Sequence, residues 1–138
     1  MTYFHATTKD RIESIQKHGL GGLPGVPKAF PDCADGVYLA ADPMLALGFL
    51  LERALADNFF HMTPKKAVEQ FAVFAIDDSR VNVSRLQPDP NILQEGFWLY
   101  NGIVDVSAMP VLSADDVTRS HYNLESNSDR VAATGSGT

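Results

Sequence analysis

The sequence has 138 residues but only one cysteine, Cys33, and no apolar run that approaches the roughly 20 residues needed to cross a bilayer. A single cysteine excludes a disulfide framework within the chain. The first residues, MTYFHATTKDR, lack the cationic start and apolar stretch of a secretory signal. We therefore expect a cytoplasmic protein with no membrane among its partners.

Positive charge is also scarce, since 11 Lys and Arg face 17 Asp and Glu for a net charge of -6. An acidic protein does not hold a polyanion by its general field, which argues against broad affinity for nucleic acid. Residues 1–28 nevertheless carry four basic and two acidic side chains. That local excess can serve one anionic small molecule, such as a dinucleotide.

Common cofactor and metal motifs are missing as well. The chain has neither a Gly-x-Gly-x-x-Gly string after a strand nor a Gly-x-x-x-x-Gly-Lys loop. Cys33, His5, His18 and His61 offer no pair at metal-ligand spacing. No metal site is expected.

The N-terminal half predicts two strand-helix units. Residues 2–6 alternate as a short strand with Tyr3 and His5 on one face, and the hydroxyls of Thr7 and Thr8 are suited to cap a helix that ends at Gly19. Residues 21–36 hold four Gly and three Pro and predict a long loop. A strand at residues 37–40 then leads into a helix that Asp42-Pro43 starts and that runs to about residue 57.

The second half predicts strands. The apolar run at residues 71–76 is typical of a buried central strand, and Val81 and Val83 suggest another short strand. A turn is expected at residues 87–91, and a hairpin on Asn101-Gly102 is expected to join residues 97–100 to 103–106. Alternating helices and strands, then strands only, favour an α+β domain over residues 1–118 with a flexible tail over 119–138.

Three segments place polar side chains on these elements: YFHATT at residues 3–8, DGVYLAADPMLALGF at 35–49 and LQEGFWLYNGIVDV at 93–106. In this order they resemble the ADP-ribosyltransferase superfamily, in its histidine–tyrosine–glutamate branch of poly-ADP-ribose polymerases and diphtheria-like toxins. The family's aromatic-His-Gly/Ala-Thr strand matches residues 3–7, and its Gly-hydrophobic-Tyr-Leu strand matches residues 36–39. Its late polar residue, before a Gly-Ile strand, is best matched by Glu95.

The resemblance implies a split β-sandwich of two mostly antiparallel sheets with two or three flanking helices. It also implies a mono-ADP-ribosyltransferase that uses NAD as co-substrate, releases nicotinamide and needs no metal. The implied NAD-binding residues are His5, Ala6, Thr7, Gly36, Tyr38 and Phe49. The implied catalytic residues are Glu95, Tyr38 and His5.

The residue types suit this chemistry, because breaking the nicotinamide–ribose bond leaves a sugar with positive charge. A tyrosine face such as that of Tyr38 stacks on the cationic nicotinamide ring. His5 can bond a ribose hydroxyl of the adenosine half, and Thr7 can fix nearby polar atoms. Glu95 can bond the 2′-hydroxyl of the nicotinamide ribose and orient or deprotonate the acceptor. The loop at residues 21–36 would cover the dinucleotide.

Several alternatives stay open. Gln94 could take the place of Glu95, which would leave the site slow or inactive. The chain could be a non-catalytic NAD-binding, nucleotide-binding or partner-binding module on the same fold. An RNA 2′-phosphotransferase is a third alternative, although it calls for clustered arginines, and the six arginines of this sequence form no recognisable pair.

The acceptor also stays open between a protein, a single-stranded nucleic acid and a small molecule. Bacterial members of the superfamily that the chain resembles include, at this size, toxins of toxin–antitoxin pairs, phage-defence factors and antibiotic-modifying enzymes. An antitoxin or immunity partner is therefore a further expectation of the resemblance.

Overall fold

The structure, a computed structural model, describes residues 1–22, 36–56, 64–90, 92 and 94–121. These residues form an antiparallel sheet with helices packed on both faces, which confirms the α+β class. The strands are β1 (Thr2–Thr8), β2 (Val37–Ala40), β3 (Phe71–Asp77), β4 (Leu86–Pro88), β5 (Phe97–Tyr100) and β6 (Val111–Ser113). The helices are α1 (Ile12–His18), α2 (Pro43–Ala56), α3 (Pro64–Glu69) and α4 (114–121).

The strands lie in the order β4-β5-β2-β1-β3-β6. Each strand carries its side chains alternately on two faces, so each face has its own core. The first face is covered by Ile12 and Ile15 of α1 and by Val104 and Val106 of the segment after β5. The second face is covered by α2, through Leu47, and by Ala114 and Val117 of α4.

Two helix boundaries predicted for the N-terminal half are confirmed, and one is wrong. Asp42 caps α2 as predicted, because its Oδ1 accepts the N–H groups of Met44 at 2.8 Å and Leu45 at 3.2 Å. Gly19 ends α1 as predicted, with a φ of 81° and its N–H donated to the carbonyl of Ile15. The capping role expected of Thr7 and Thr8 is wrong. Both residues lie in β1, and the Thr8 side chain makes no cap bond to the 3₁₀ turn Lys9–Arg11 that precedes α1.

Two predictions in the second half are wrong. Val83–Arg85 is a 3₁₀ turn and not a strand. The expected hairpin does not form either, because β5 pairs with β2 and β4, while Val104 exchanges backbone hydrogen bonds with Leu20 at 2.8 and 3.0 Å. Val104 and Val106 are fully buried, so covering the first face outweighs the turn preference of Asn101-Gly102.

The remaining predictions for the second half are confirmed only in part. Residues 71–76 are confirmed as a central strand, since β3 lies between β1 and β6. The turn expected at residues 87–91 begins later, because Gln87 and Pro88 lie in β4. β6 and α4 were not predicted, and the proposed start of the tail at residue 119 falls within α4; residues 122–138 lie outside the described part of the chain. Among the described residues no helix is long and apolar enough to span a membrane.

β1 pairs extensively with β3 on one side and only briefly with β2 on the other. Seven register pairs, from Thr2 with Asp77 to Thr8 with Phe71, connect β1 to β3, whereas a single pair, Phe4 with Ala40, connects it to β2. This single pair corrects the expectation of two separate sheets, because it makes one sheet of the described strands. We call the stretch beyond it, from His5 to Thr7 on β1 and from Tyr38 to Val37 on β2, the β1–β2 junction.

Candidate functional site

The side chain of His5 occupies the β1–β2 junction. Its Nδ1 lies 2.7 Å from the carbonyl oxygen of Tyr38. A carbonyl only accepts hydrogen bonds, so Nδ1 carries the proton and donates it. Burial lowers the pKa of His5 below 6.5, which keeps the imidazole neutral at pH 7 and leaves Nε2 as an acceptor.

The register assigns a direction to the peptide groups of β1. Lys9, one residue beyond the strand, donates its N–H to Gln70 at 2.8 Å in continuation of the β1–β3 register. In an antiparallel ladder, hydrogen-bonded pairs alternate, so the odd-numbered residues of β1 turn their N–H and C=O groups towards β3. The even-numbered residues turn theirs towards β2. Both backbone polar groups of Ala6 therefore face the β1–β2 junction.

The side chains of His5 and Tyr38 lie on opposite faces of the sheet. His5 and Thr7 share the face of Tyr3, which belongs to the first core. Val37 and Leu39 also belong to the first core, so Tyr38 between them projects from the second face. A ligand that contacts both side chains must therefore reach both faces of the sheet.

Thr7 and Gly36 lie at one end of the junction. Thr7 is buried although it is polar. Gly36 has a φ of 138°, and a Cβ at this position would lie 2.6 Å from Cδ1 of Leu99, so no larger residue fits without a shift. The side chain of Phe49 and the loop residues 23–35, Cys33 among them, lie outside the described part of the chain, as does His61.

Glu95 lies at the other end of β2. It is exposed in the turn before β5, where the carbonyl of Gly96 accepts the N–H of Ala41 at 2.8 Å. From Ala41 back to Val37 is four residues, or roughly 13 Å of extended chain. The structure thus brings His5, Ala6, Thr7 and Tyr38 to neighbouring strands, with the side chains of His5 and Tyr38 on opposite faces of the sheet. It sets Glu95, with the exposed Gln94, apart from Thr7 and Gly36.

Asp89 is a buried carboxylate that the sequence did not reveal. Asp89 is 4% exposed, and its N–H bonds the carbonyl of Phe97 at 3.1 Å, near the end of β5 where Glu95 lies. An aspartate buried to this degree is uncommon. Its place between two prolines, Pro88 and Pro90, was the one available signal, because such a string favours an ordered turn that fixes the side chain.

Three of the described arginines have partners outside the junction. Arg80 pairs with Asp105 and Arg119 with Asp115, each at 2.8 Å, and Arg85 donates to the carbonyl of Asn101 at 3.1 Å. Within the described ranges no group of three His, Cys, Asp or Glu residues could hold a metal ion.

Comparison with known proteins adds no relative. No protein-family model matches the sequence, and neither the curated proteins nor the solved structures give a match. The geometry of the β1–β2 junction is therefore the basis for assigning a function.

Proposed function

We propose that the protein is a NAD-dependent mono-ADP-ribosyltransferase whose co-substrate binds at the β1–β2 junction. The observation that carries the proposal is the 2.7 Å hydrogen bond from His5 Nδ1 to the Tyr38 carbonyl, at the point where β1 and β2 cease to pair. The proposal includes an ADP-ribosyltransferase-like fold in which the pair Phe4 with Ala40 joins the strands into one sheet. A cytoplasmic location, where NAD is available, belongs to the same proposal.

The junction offers the polar groups that the two ends of NAD require. The nicotinamide carboxamide needs one acceptor and one donor, and the C=O and N–H of Ala6 both face the junction. The neutral His5 ring keeps Nε2 as an acceptor for a ribose hydroxyl. The ring of Tyr38 supplies a π surface for the cationic nicotinamide. Each half of the dinucleotide thus meets a partner of matching chemistry.

Transfer needs a group that stabilises positive charge on the departing ribose, and we assign this role to Glu95. Its exposed carboxylate lies beyond Ala41, past the end of β2 that follows Tyr38. From there it would bond the 2′-hydroxyl of the nicotinamide ribose and take the proton of the acceptor. The C1′–nitrogen bond then breaks, nicotinamide leaves with the bonding electrons, and the acceptor bonds C1′.

A second candidate is a module that binds NAD without consuming it. The observation that favours it is the separation of Glu95 from Thr7 and Gly36 along β2. In this case the β1–β2 junction holds the dinucleotide and no acid reaches the nicotinamide ribose. The two candidates differ in nicotinamide release and agree in NAD binding.

The proposal is tested by calorimetry with NAD and by assay of released nicotinamide on the folded protein. Wild type is expected to bind and to turn over, and mass spectrometry of lysate proteins, nucleic acids and small molecules should then detect added ADP-ribose. Glu95→Gln should bind NAD normally but lose about 10²- to 10⁴-fold in turnover, the usual contribution of an acid–base group. Glu13→Gln, an exposed glutamate of α1, is the matched control.

Ala6→Pro tests the location of the NAD site. Proline removes the N–H that faces the junction and spares the ladder to β3, so the protein should fold and bind NAD at least about tenfold more weakly. Thr7→Pro removes an N–H that faces β3 and should unfold the chain. NAD binding by wild type without nicotinamide release would establish the second candidate. Absence of binding would overturn both.

A further inference from the structure

The hydrogen-bond ladder between β1 and β2 ends earlier than the strands do. Phe4 and Ala40 form a register pair, and in an antiparallel ladder the next hydrogen-bonded pair of that register is Ala6 with Tyr38. Both strands continue through these residues, since β1 runs to Thr8 and β2 begins at Val37. Ala6 and Tyr38 nevertheless form no register pair, and at this point the side chain of His5 contacts the Tyr38 carbonyl.

The imidazole of His5 makes the hydrogen bond to Tyr38 that Ala6 would make in a continued ladder. In a continued ladder the carbonyl of Tyr38 would accept the N–H of Ala6. In the structure that carbonyl accepts Nδ1–H of His5 at 2.7 Å, a short bond for this type of donor. The ring is half-buried beside the junction and belongs to a residue of the same strand as Ala6.

We propose that His5 is a positioning residue that acts as a wedge: it keeps β1 and β2 from pairing beyond Phe4 and Ala40, and so keeps the Ala6 peptide directed at a ligand. Without the imidazole, the Tyr38 carbonyl and the Ala6 N–H would bond each other, because buried backbone groups find partners. The sheet would then close over the junction. The inference rests on the proposed function only for the identity of the ligand as NAD, because the wedge itself is a property of the ligand-free protein.

The position of the proton on His5 gives a first test that needs no variant. The ¹⁵N spectrum of the ligand-free protein should show a neutral imidazole with its proton on Nδ1, since only that tautomer can donate to the Tyr38 carbonyl. Exposed His18 supplies the reference signal within the same chain. A neutral His5 with its proton on Nε2 would overturn the wedge.

Amide hydrogen exchange on the ligand-free protein tests the closing of the sheet. The exchange rate of the Ala6 amide is divided by that of the Thr7 amide, which faces β3. A change in global stability alters both rates and leaves their ratio unchanged. In His5→Ala the Ala6 amide should exchange about tenfold more slowly relative to Thr7 than in wild type, because it gains a ladder bond. In His5→Asn it should behave as in wild type, because the Asn side chain restores an N–H donor near the position of Nδ1. His18→Ala is the matched control.

Should His5→Ala fail to fold, His5→Val is the replacement, because a β-branched residue without a donor suits a strand. An Ala6 amide unchanged in the folded variant would overturn the wedge whatever the ligand. NAD calorimetry separates the two proposals: slowed exchange with no NAD binding by wild type would leave the wedge standing and refute the proposed function. If both hold, NAD binding should be lost in His5→Ala and regained in His5→Asn.

Discussion

At the scale of single residues, the partner of a side chain decides its role. His5 could have been a solvated strand histidine or part of the core, and the sequence distinguishes these only by the aromatic-His-Ala-Thr string around it. In the fold its Nδ1 meets a carbonyl of another strand 33 residues away. That contact sets the tautomer. Burial lowers the pKa by more than the hydrogen bond to the carbonyl raises it, and so holds the ring neutral. Both properties are needed for the acceptor role that we propose for Nε2.

The state of His5 predicts a pH dependence of stability. Its pKa in the fold is lowered below 6.5 by burial, so below that pH the unfolded chain binds more protons than the folded chain. Stability is therefore fully present above pH 6.5 and should fall as the pH drops below 6.5 towards the lowered pKa. Urea unfolding midpoints of wild type and His5→Asn, measured from pH 8 to 5, check this.

The difference between the two proteins isolates His5, because the carboxylates and the remaining histidines titrate in both. Wild type should lose more stability than His5→Asn over the acid part of the range. If the urea midpoints of the two proteins changed with pH in parallel, the pKa of His5 would be the same in the folded and the unfolded chain.

At the scale of elements, local signals were sufficient where a capping residue stood at the boundary. Asp42 accepts two N–H groups of the first turn of α2, and Gly19 in a left-handed conformation ends α1. Both contacts form within a few residues, so the sequence contains all the information that they need. The same reasoning failed for Thr7 and Thr8, because pairing with Ala72 and Phe71 of β3 extends β1 through both residues.

The cap of α2 gives a second stability prediction. Asp42→Ala leaves the N–H groups of Met44 and Leu45 without the carboxylate and should lower the free energy of unfolding by about 1 kcal/mol. Asp42→Asn should retain most of it, since an amide oxygen can accept the same bonds. Chemical denaturation gives the values, with Asp10→Ala, an exposed acid that caps no helix, as the control. Equal midpoints for Asp42→Ala and wild type would contradict the prediction.

The failed hairpin shows how the sheet competes with a turn. Asn101-Gly102 is a strong local turn signal, but a hairpin there would require the segment 103–106 to pair with one edge of β5. Those edges are taken by β2 and β4, which pair with all four and with three residues of β5 respectively. The segment lies instead across the first face, where it buries Val104 and Val106. Pairing between strands that are distant in the sequence cannot be recognised from the local sequence around the turn.

At the scale of the whole molecule, the last described helix closes the second core. Ala114 and Val117 of α4 are 0% and 5% exposed and belong to the core that α2 covers. A chain ended after Ser113 should therefore lose about 2–4 kcal/mol of stability, the value of the apolar burial removed. A chain ended after residue 121 should keep the wild-type melting temperature if residues 122–138 form the tail that their composition predicts. Thermal unfolding followed by circular dichroism measures both, and a stable chain that ends at residue 113 would exclude a core role for α4.

The residues of the candidate site were chosen from the sequence, whereas their arrangement could not be read from it. His5, Ala6, Thr7 and Tyr38 were selected from two short strings, and the fold brings those strings to adjacent strands. Glu95 was selected from a third string, which the β2–β5 register carries to the far end of β2. Asp89 was missed, because burial of a carboxylate depends on the chain that packs around it.

The sequence by itself determined the α+β class, the C-terminal end of α1, the N-terminal cap of α2, the central strand β3 and the residues from which a NAD site can be proposed. These features arise from contacts within a turn or from side-chain periodicity, and both are readable along the chain. Only the tertiary structure decided the strand order, the single pair that joins β1 to β2 and the contact between His5 and the Tyr38 carbonyl. Each depends on which distant strands become neighbours, and that choice is made by the burial of two cores at once.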